Sequence, residues 1–448
     1  MSATTDMTQG NPVKLMLRFA VPVILTNLGQ QLYQIVDAAI VGRGVGVDAL
    51  AAVGCTDWTY WLILWSMTVM TGGFATFVSR FFGSRDYVQM NRSILISSVL
   101  TAVIALILTA AGLFSARPLM ILMGTPANIL EDAVTYLCTM IAGTLIVSAY
   151  NLASSILRAF GDSKSPFHAM VIAAGLNILL DLLFVMVFLW GVFGAALASV
   201  LSQLVAFFYC LLRLRRNSYI HLRGEALHWD LKLSGEILAF GLPLALQYIV
   251  IQIGGMIVQS TINVQGSAFI AGYTAINKLY GLLECSAIAM GSAFTTFASQ
   301  NFGAGNFKRV RKGVGTAVIL AVGSSLVMMV LLLPLNRLLP QLFLDISQPG
   351  AAEALDVAAR FLFWMTVSLP ILYLVYVHRN NLQAIGVSSW SLISGIAEAA
   401  VRVFMAKILF LGLGTGILYF IEPMAWLAAW LFVLFPYYYY EKKKLPLT

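Results

Sequence analysis

Residues 22–43 read PVILTNLGQQLYQIVDAAIVGR, from Pro22 to Arg43. The stretch is apolar enough to lie in a bilayer, yet it carries Asn27, Gln30, Gln31, Tyr33, Gln34 and Asp37. At 100° per residue, Asn27, Gln30, Gln34 and Asp37 share an arc of roughly 80°. One face of this helix is therefore polar and the rest is greasy. A carboxylate at membrane depth is expensive to keep and usually faces an ion or substrate pathway. Pro22, just before the polar stripe, deletes a backbone hydrogen bond and favours a hinge there.

The composition fits that reading. Of 448 residues, 60% are hydrophobic and only 10% charged, and the mean hydropathy is +0.87. Soluble domains run near 45–50% apolar and about 25% charged. The net charge of +8 comes from short basic blocks between apolar runs, so it points to membrane topology and not to nucleic acid. Cys55, Cys138, Cys210 and Cys285 have neither disulfide-framework nor zinc spacing. The four histidines form no ligand motif. There is no G-x-x-x-x-G-K-[ST], so no ATP is expected, and no hydrolase or metalloenzyme signature, so the chain is not read as an enzyme and needs no cofactor.

Windows of about 20 apolar residues suffice to span the hydrocarbon core. Twelve are expected, near 15–42, 51–80, 92–115, 128–158, 166–189, 192–214, 235–263, 267–301, 309–335, 353–378, 388–411 and 417–440. The expected fold is an all-α polytopic membrane protein. Its domains are a first six-helix bundle (1–216), a polar linker (217–232) and a second six-helix bundle (233–448). With twelve spans, 20 of the 27 basic residues fall on one side, and Arg43, Arg117, Arg337 and Arg360 on the other. The positive-inside rule then places both termini in the cytoplasm of a cell whose inner (plasma) membrane holds the protein.

The halves repeat. Phe19-Ala20-Val21-Pro22 pairs with Phe240-Gly241-Leu242-Pro243, Ser79-Arg80-Phe81-Phe82-Gly83 with Ser299-Gln300-Asn301-Phe302-Gly303, and Leu157-Arg158-Ala159-Phe160-Gly161 with Leu382-Gln383-Ala384-Ile385-Gly386. The shifts are nearly constant, about 220–225 residues, and six spans per repeat keep the same orientation. Such a duplication suits alternating access around a pseudo-two-fold axis along the membrane normal.

The fifth span stacks Asn177 and Asp181 at i, i+4; the sixth carries Ser199, Ser202 and Gln203. Carboxylate, amide carbonyl and hydroxyl are hard oxygen donors that suit Na⁺ or a proton held on an acid. Helix-to-helix hydrogen bonding is the alternative. Two acids at similar depth repel unless a cation or proton joins them, which favours the ion site. The second bundle has valine at the shifted positions, Val258 and Val401. Its polar face on span 7 is Gln252, Gln259 and Asn263, with Tyr248 nearby, and reads either as a neutral cargo lining or as helix packing. Glu398 and Arg402, at i, i+4, read as a buried structural ion pair. Lys278 and Glu284 lie six apart on opposite faces of span 8.

These residues resemble the multidrug and toxic compound extrusion (MATE) family over nearly the whole chain. The likeness is carried by Pro22 with Asp37-Ala38-Ala39-Ile40-Val41-Gly42, Leu157-Arg158-Ala159-Phe160-Gly161-Asp162, Gly194-Ala195-Ala196-Leu197-Ala198-Ser199, and Gln300-Asn301-Phe302-Gly303-Ala304-Gly305. The resemblance implies two six-helix lobes forming a V, working as a monomer, and export of organic, often cationic compounds against H⁺ or Na⁺ influx. It implies a first-lobe ion site at Asp37, Asn177, Asp181 and Ser199. Acids that some members carry on spans 7 and 10 are missing here, as in the DinF-type branch. Lipid-linked oligosaccharide flippases belong to the same superfamily and are the alternative; they are expected to show basic residues in the cavity, whereas this one is acidic.

Overall fold

The computed structural model describes residues 4–344 and 350–445, and all regular structure among them is helical. In chain order the helices are α1 Pro12–Gly44, α2 Val47–Gly83 and α3 Tyr87–Leu122. Next come α4, a bent pair Leu130–Ala142 and Thr144–Ala159; α5 Lys164–Asp181, extended by a π turn Leu182–Val187; and α6 Gly191–Arg215. The second set is α7 Leu231–Ile262, α8 Ser267–Gly303, α9 Phe307–Leu332 and α10, a bent pair Ala351–Val367 and Leu369–Ala384. It closes with α11 Ser389–Phe404, extended by a π turn Met405–Leu409 and Phe410–Leu413, and α12 Ile421–Lys444.

Among the described residues nine stretches are long and apolar enough to cross a membrane alone, and the two bent pairs make eleven. The longest stretch, residues 389–444, is itself two crossings. Gly414 takes φ 69°, and a 3₁₀ segment Gly414–Phe420 separates α11 from α12. At 1.5 Å per residue the parts on either side are each about 36 Å long, enough to cross once. The chain is thus a twelve-span membrane protein. Large apolar side chains such as Phe114 and Leu122 stand more than 80% exposed, as helices facing lipid require.

The repeated landmarks turn out to be helix stops. Gly161 (φ 75°) and Gly386 (φ 86°) end α4 and α10 in the left-handed conformation. In both, the next N–H reaches back to the same repeat position, Asp162 to the Leu157 carbonyl at 3.0 Å and Val387 to the Leu382 carbonyl at 2.8 Å. Both glycines thus satisfy carbonyls that a helix end would otherwise orphan. The correspondence extends to features that sequence does not announce. The bends lie at Gly143 (44°) and Ser368 (48°), and each half has its π turn after its fifth helix. An exposed ion pair joins α3 to α4, Arg117–Glu131 at 2.7 Å, and another, Arg337–Asp356 at 2.7 Å, stands at the matching place in the second half.

The chain forms two compact units, Met1–Met7 with Val21–Ala245 and Thr8–Ala20 with Leu246–Thr448. The divisions fall inside α1 and α7, beside Pro22 and Pro243. Proline supplies no N–H to the helix ladder, so these are the points where a helix is most readily bent. In the first unit the core is aromatic, with Phe82 edge-on to Phe160 at 5.1 Å and Phe77 edge-on to Phe240 at 5.5 Å. The polar stretch after α6 is tied down within the same unit. Asn91 donates to the Tyr219 carbonyl at 3.0 Å and accepts from the His221 N–H at 2.8 Å, and Tyr219 stacks on Tyr87.

Candidate functional site

The site lies in the first unit, where α1, α5 and α6 meet. At Gly29 α1 meets the tip of the Met170 side chain of α5: a Cβ there would lie 2.5 Å from the Met170 methyl, a flexible end that can swing aside. Two turns on, the α1 stripe delivers Asp37 to Asp181 at the last residue of α5. The two carboxyls lie close enough to interact electrostatically. Asp181 is fully buried and Asn177 is 2% exposed, while Asp37, Ser199 and Gln203 are half-buried. Asn177 donates to Ser199 Oγ at 3.4 Å, a long bond that fixes the amide with its carbonyl free. After Asp181 the ladder loosens into the π turn, a feature often found at functional positions in helices.

What the arrangement lacks decides its chemistry. Asp37 Oδ1, Asn177 Oδ1, Gln203 Oε1 and both oxygens of Asp181 are buried without a hydrogen-bond donor. Leaving such acceptors unmet costs roughly 1–3 kcal/mol each, and more when they are charged. Five hard oxygens converging from three helices are what a proton or a small cation satisfies. Among the described residues no three His, Cys, Asp or Glu side chains gather as a transition-metal site would need. Beside the acids is a cavity of about 10 Å³, room for roughly one water-sized species, lined among others by Gln30, Tyr33, Asn177, Ser199 and Gln203. The Tyr33 hydroxyl lies near Gln203 and Gln34 and within electrostatic reach of both acids.

Of the residues that sequence singled out, Asp37, Asn177, Asp181, Ser199, Gln30, Tyr33, Gln34 and Gln203 gather here. Asn27 is half-buried on the same α1 stripe. Pro22 is buried and α1 continues through it, with the Thr26 hydroxyl donating to its carbonyl at 2.8 Å. Tyr248, Gln252 and Gln259 lie in the other unit, where Gln252 bonds to the Tyr248 hydroxyl and Gln259 to Asn263 at 2.7 Å. Sequence reading did not single out Tyr136, whose phenol feels the Asp37 charge, nor Tyr150 and Met170 in the cavity wall. An aromatic or methionine on an apolar helix carries no signal that separates lining from core. In the second unit Glu398 meets Arg402 at 3.0 Å, but Arg402 also meets Glu422 at 2.6 Å, and Glu398 meets Arg379 at 3.2 Å. The pair is the middle of a four-residue network.

Comparison with known proteins agrees with this architecture. The MatE family model matches twice, over residues 22–183 and 243–420, one match per half. The "Probable multidrug resistance protein YpnP" of Bacillus subtilis is 30% identical over 382 residues, covering 85% of this chain and 84% of its own. The "Multidrug export protein MepA" of Staphylococcus aureus is 23% identical, covering 94% and 93%. Among solved structures, an outward-facing multidrug resistance MATE transporter of the MOP superfamily superposes with a TM-score of 0.91 at 24% identity, covering 98% and 99%. A MOP superfamily transporter from Pyrococcus furiosus gives 0.89 at 23%, with the same coverage. With both halves matched by one family model and the twelve-span fold shared, the chain belongs to the MatE family of multidrug and toxic compound extrusion transporters.

Proposed function

We propose that this transporter exports amphipathic organic cations in exchange for inflowing H⁺ or Na⁺, with Asp37, Asn177, Asp181 and Ser199 as the coupling site. The observation that carries the reading is a set of five buried oxygens without hydrogen-bond donors, three on the two carboxyls of Asp37 and Asp181 and one each on Asn177 and Gln203. Two like charges held together need one positive charge to be stable, and a proton or Na⁺ supplies it. If the coupling ion favours one conformation and the cargo the other, the binding of each lowers the affinity for its opponent, and that reciprocity is what exchange requires. Multidrug export is what the name of MepA attributes to that relative, and multidrug resistance what the name of YpnP attributes to the other.

The roles follow from placement. Asn27, Gln30, Tyr33, Gln34 and Gln203 offer polar contacts to cargo from the first bundle, and Tyr248, Gln252 and Gln259 do so from the second. Bundles 1–216 and 233–448, joined by 217–232, are the moving bodies, with Pro22 as a hinge. The protein works as a monomer in the plasma membrane, its basic end and both termini in the cytoplasm. A flippase for lipid-linked oligosaccharides fits less well, since a pyrophosphate needs basic partners and this site is acidic. Expression in efflux-deficient cells tests the reading: ethidium accumulation should fall relative to an empty vector. No change across a broad panel of organic cations, with lipid-linked oligosaccharide moved instead, contradicts it.

A further inference from the structure

The second unit contains a carboxyl that its ion-pair network leaves out. Arg402 of α11 lies 3.0 Å from Glu398 and 2.6 Å from Glu422 of α12, and Arg379 of α10 lies 3.2 Å from Glu398. Their side chains are at most 15% exposed. Arg402 also donates to the Ile251 carbonyl at 3.4 Å, and Arg379 to Ser394 Oγ at 2.7 Å. Two guanidinium groups face two carboxylates, so this network closes at zero net charge.

Glu284 of α8 stands within electrostatic reach of Glu398, Arg402 and Glu422. Among the described residues no Lys, Arg or His comes within ion-pair distance of its carboxyl. Phenols come instead: the Tyr280 hydroxyl donates to Glu284 Oε1 at 2.7 Å and the Tyr376 hydroxyl at 3.5 Å. Tyr248 of α7, Tyr373 of α10 and Cys285 on its own helix are further titratable neighbours. None of those three is positive near neutral pH. An ionised Glu284 therefore leaves the cluster at −1 inside an apolar bundle, and one proton restores zero, a state membrane interiors favour. A polar seam leads from it along α8 and α10. Asn380 donates to the Tyr376 carbonyl at 2.7 Å and accepts from the Thr295 hydroxyl at 2.9 Å, nearer the basic ends of both helices.

We propose that Glu284, held by Tyr280 and Tyr376 beside the closed Arg379–Glu398–Arg402–Glu422 network, is a proton-binding site of the second unit, separate from the acids of α1 and α5. The probe is the proton itself. Purified full-length protein in lipid nanodiscs is titrated while the infrared C=O band of protonated carboxyl groups is recorded. Surface carboxyls add to this band in every form as pH falls, so the readout is a difference: its growth in the Asp37→Asn/Asp181→Asn variant should drop by one carboxyl's share when Glu284→Gln is added. Glutamine keeps the shape and can still accept from Tyr280, and an unchanged thermal midpoint certifies the fold. The same band amplitude across the titration with and without Glu284→Gln overturns the proposal. Neither cargo nor gradient enters this measurement, so its failure leaves the export reading standing, and failed export leaves this site standing.

Discussion

Replacing Arg402 by methionine should be among the most damaging single changes in the second unit. The side chain is 5% exposed and serves carboxylates at 3.0 and 2.6 Å. Without it Glu398 keeps Arg379 at 3.2 Å, but Glu422 is left buried with no cation. Removing one partner of a buried pair costs about 3–5 kcal/mol, roughly two to three and a half decades in the folded-to-unfolded ratio. The second change follows from the same geometry. Glu422→Gln on top of Arg402→Met leaves one guanidinium facing one carboxylate, so most of that loss should return, with a coupling energy of about 2–3 kcal/mol. Tryptophan-fluorescence unfolding of the purified protein in detergent, over wild type, both single variants and the double variant, reads this directly. A loss below about 1 kcal/mol for Arg402→Met, or a double variant no more stable than Arg402→Met, refutes the network as described.

Gly29→Leu should lower ethidium export by crowding the Met170 side chain beside the cavity, and adding Met170→Ala should return part of it; full export by Gly29→Leu alone would show that this contact is dispensable. Asn177→Ala removes an orphaned oxygen beside the acids and should lower gradient-driven export at least tenfold with the protein still inserted, as scored by proteoliposome flux and gel filtration. Arg117→Ala and Arg337→Ala, on side chains 54% and 69% exposed, should leave the unfolding midpoint unchanged, because exposed ion pairs contribute little. Tags on residues 1–10 and after Thr448 should both be reached only from the cytoplasm; access to one tag alone from outside rules out an even number of spans.

The span pattern was readable because hydropathy and basic flanks are one-dimensional signals. All twelve expected windows coincide with helices or helix pairs, with ends displaced by a few residues where caps decide them. Asp86, for instance, starts α3 by accepting from the Gln89 N–H at 3.0 Å. The acid site was readable because Asp37 and Asp181 stand out against apolar helices. The bend at Gly143 was not, since no proline marks it; the bend at Ser368 lies just before Pro370, the second residue of the helix that follows, a signal masked by the continuous apolar run around it. Glu422 was missed as the partner of Arg402 because it is 20 residues away across a chain reversal, where helical periodicity says nothing. Arg379 follows an apolar run as the flanking basic residues do, yet it lies within α10, 7% exposed. Glu284 looked like an isolated acid because the phenols that hold it are polar only at their tips.

The central claim is that ion exchange is carried by the acids of α1 and α5. Asp37→Asn keeps the side chain's shape and removes its charge, so ethidium flux into proteoliposomes under imposed H⁺ or Na⁺ gradients isolates that step. Wild-type protein should concentrate ethidium against its gradient with one of the two ions. Asp37→Asn should fall to the level of empty liposomes while remaining monodisperse and inserted. Near wild-type, gradient-dependent flux by Asp37→Asn would contradict the account.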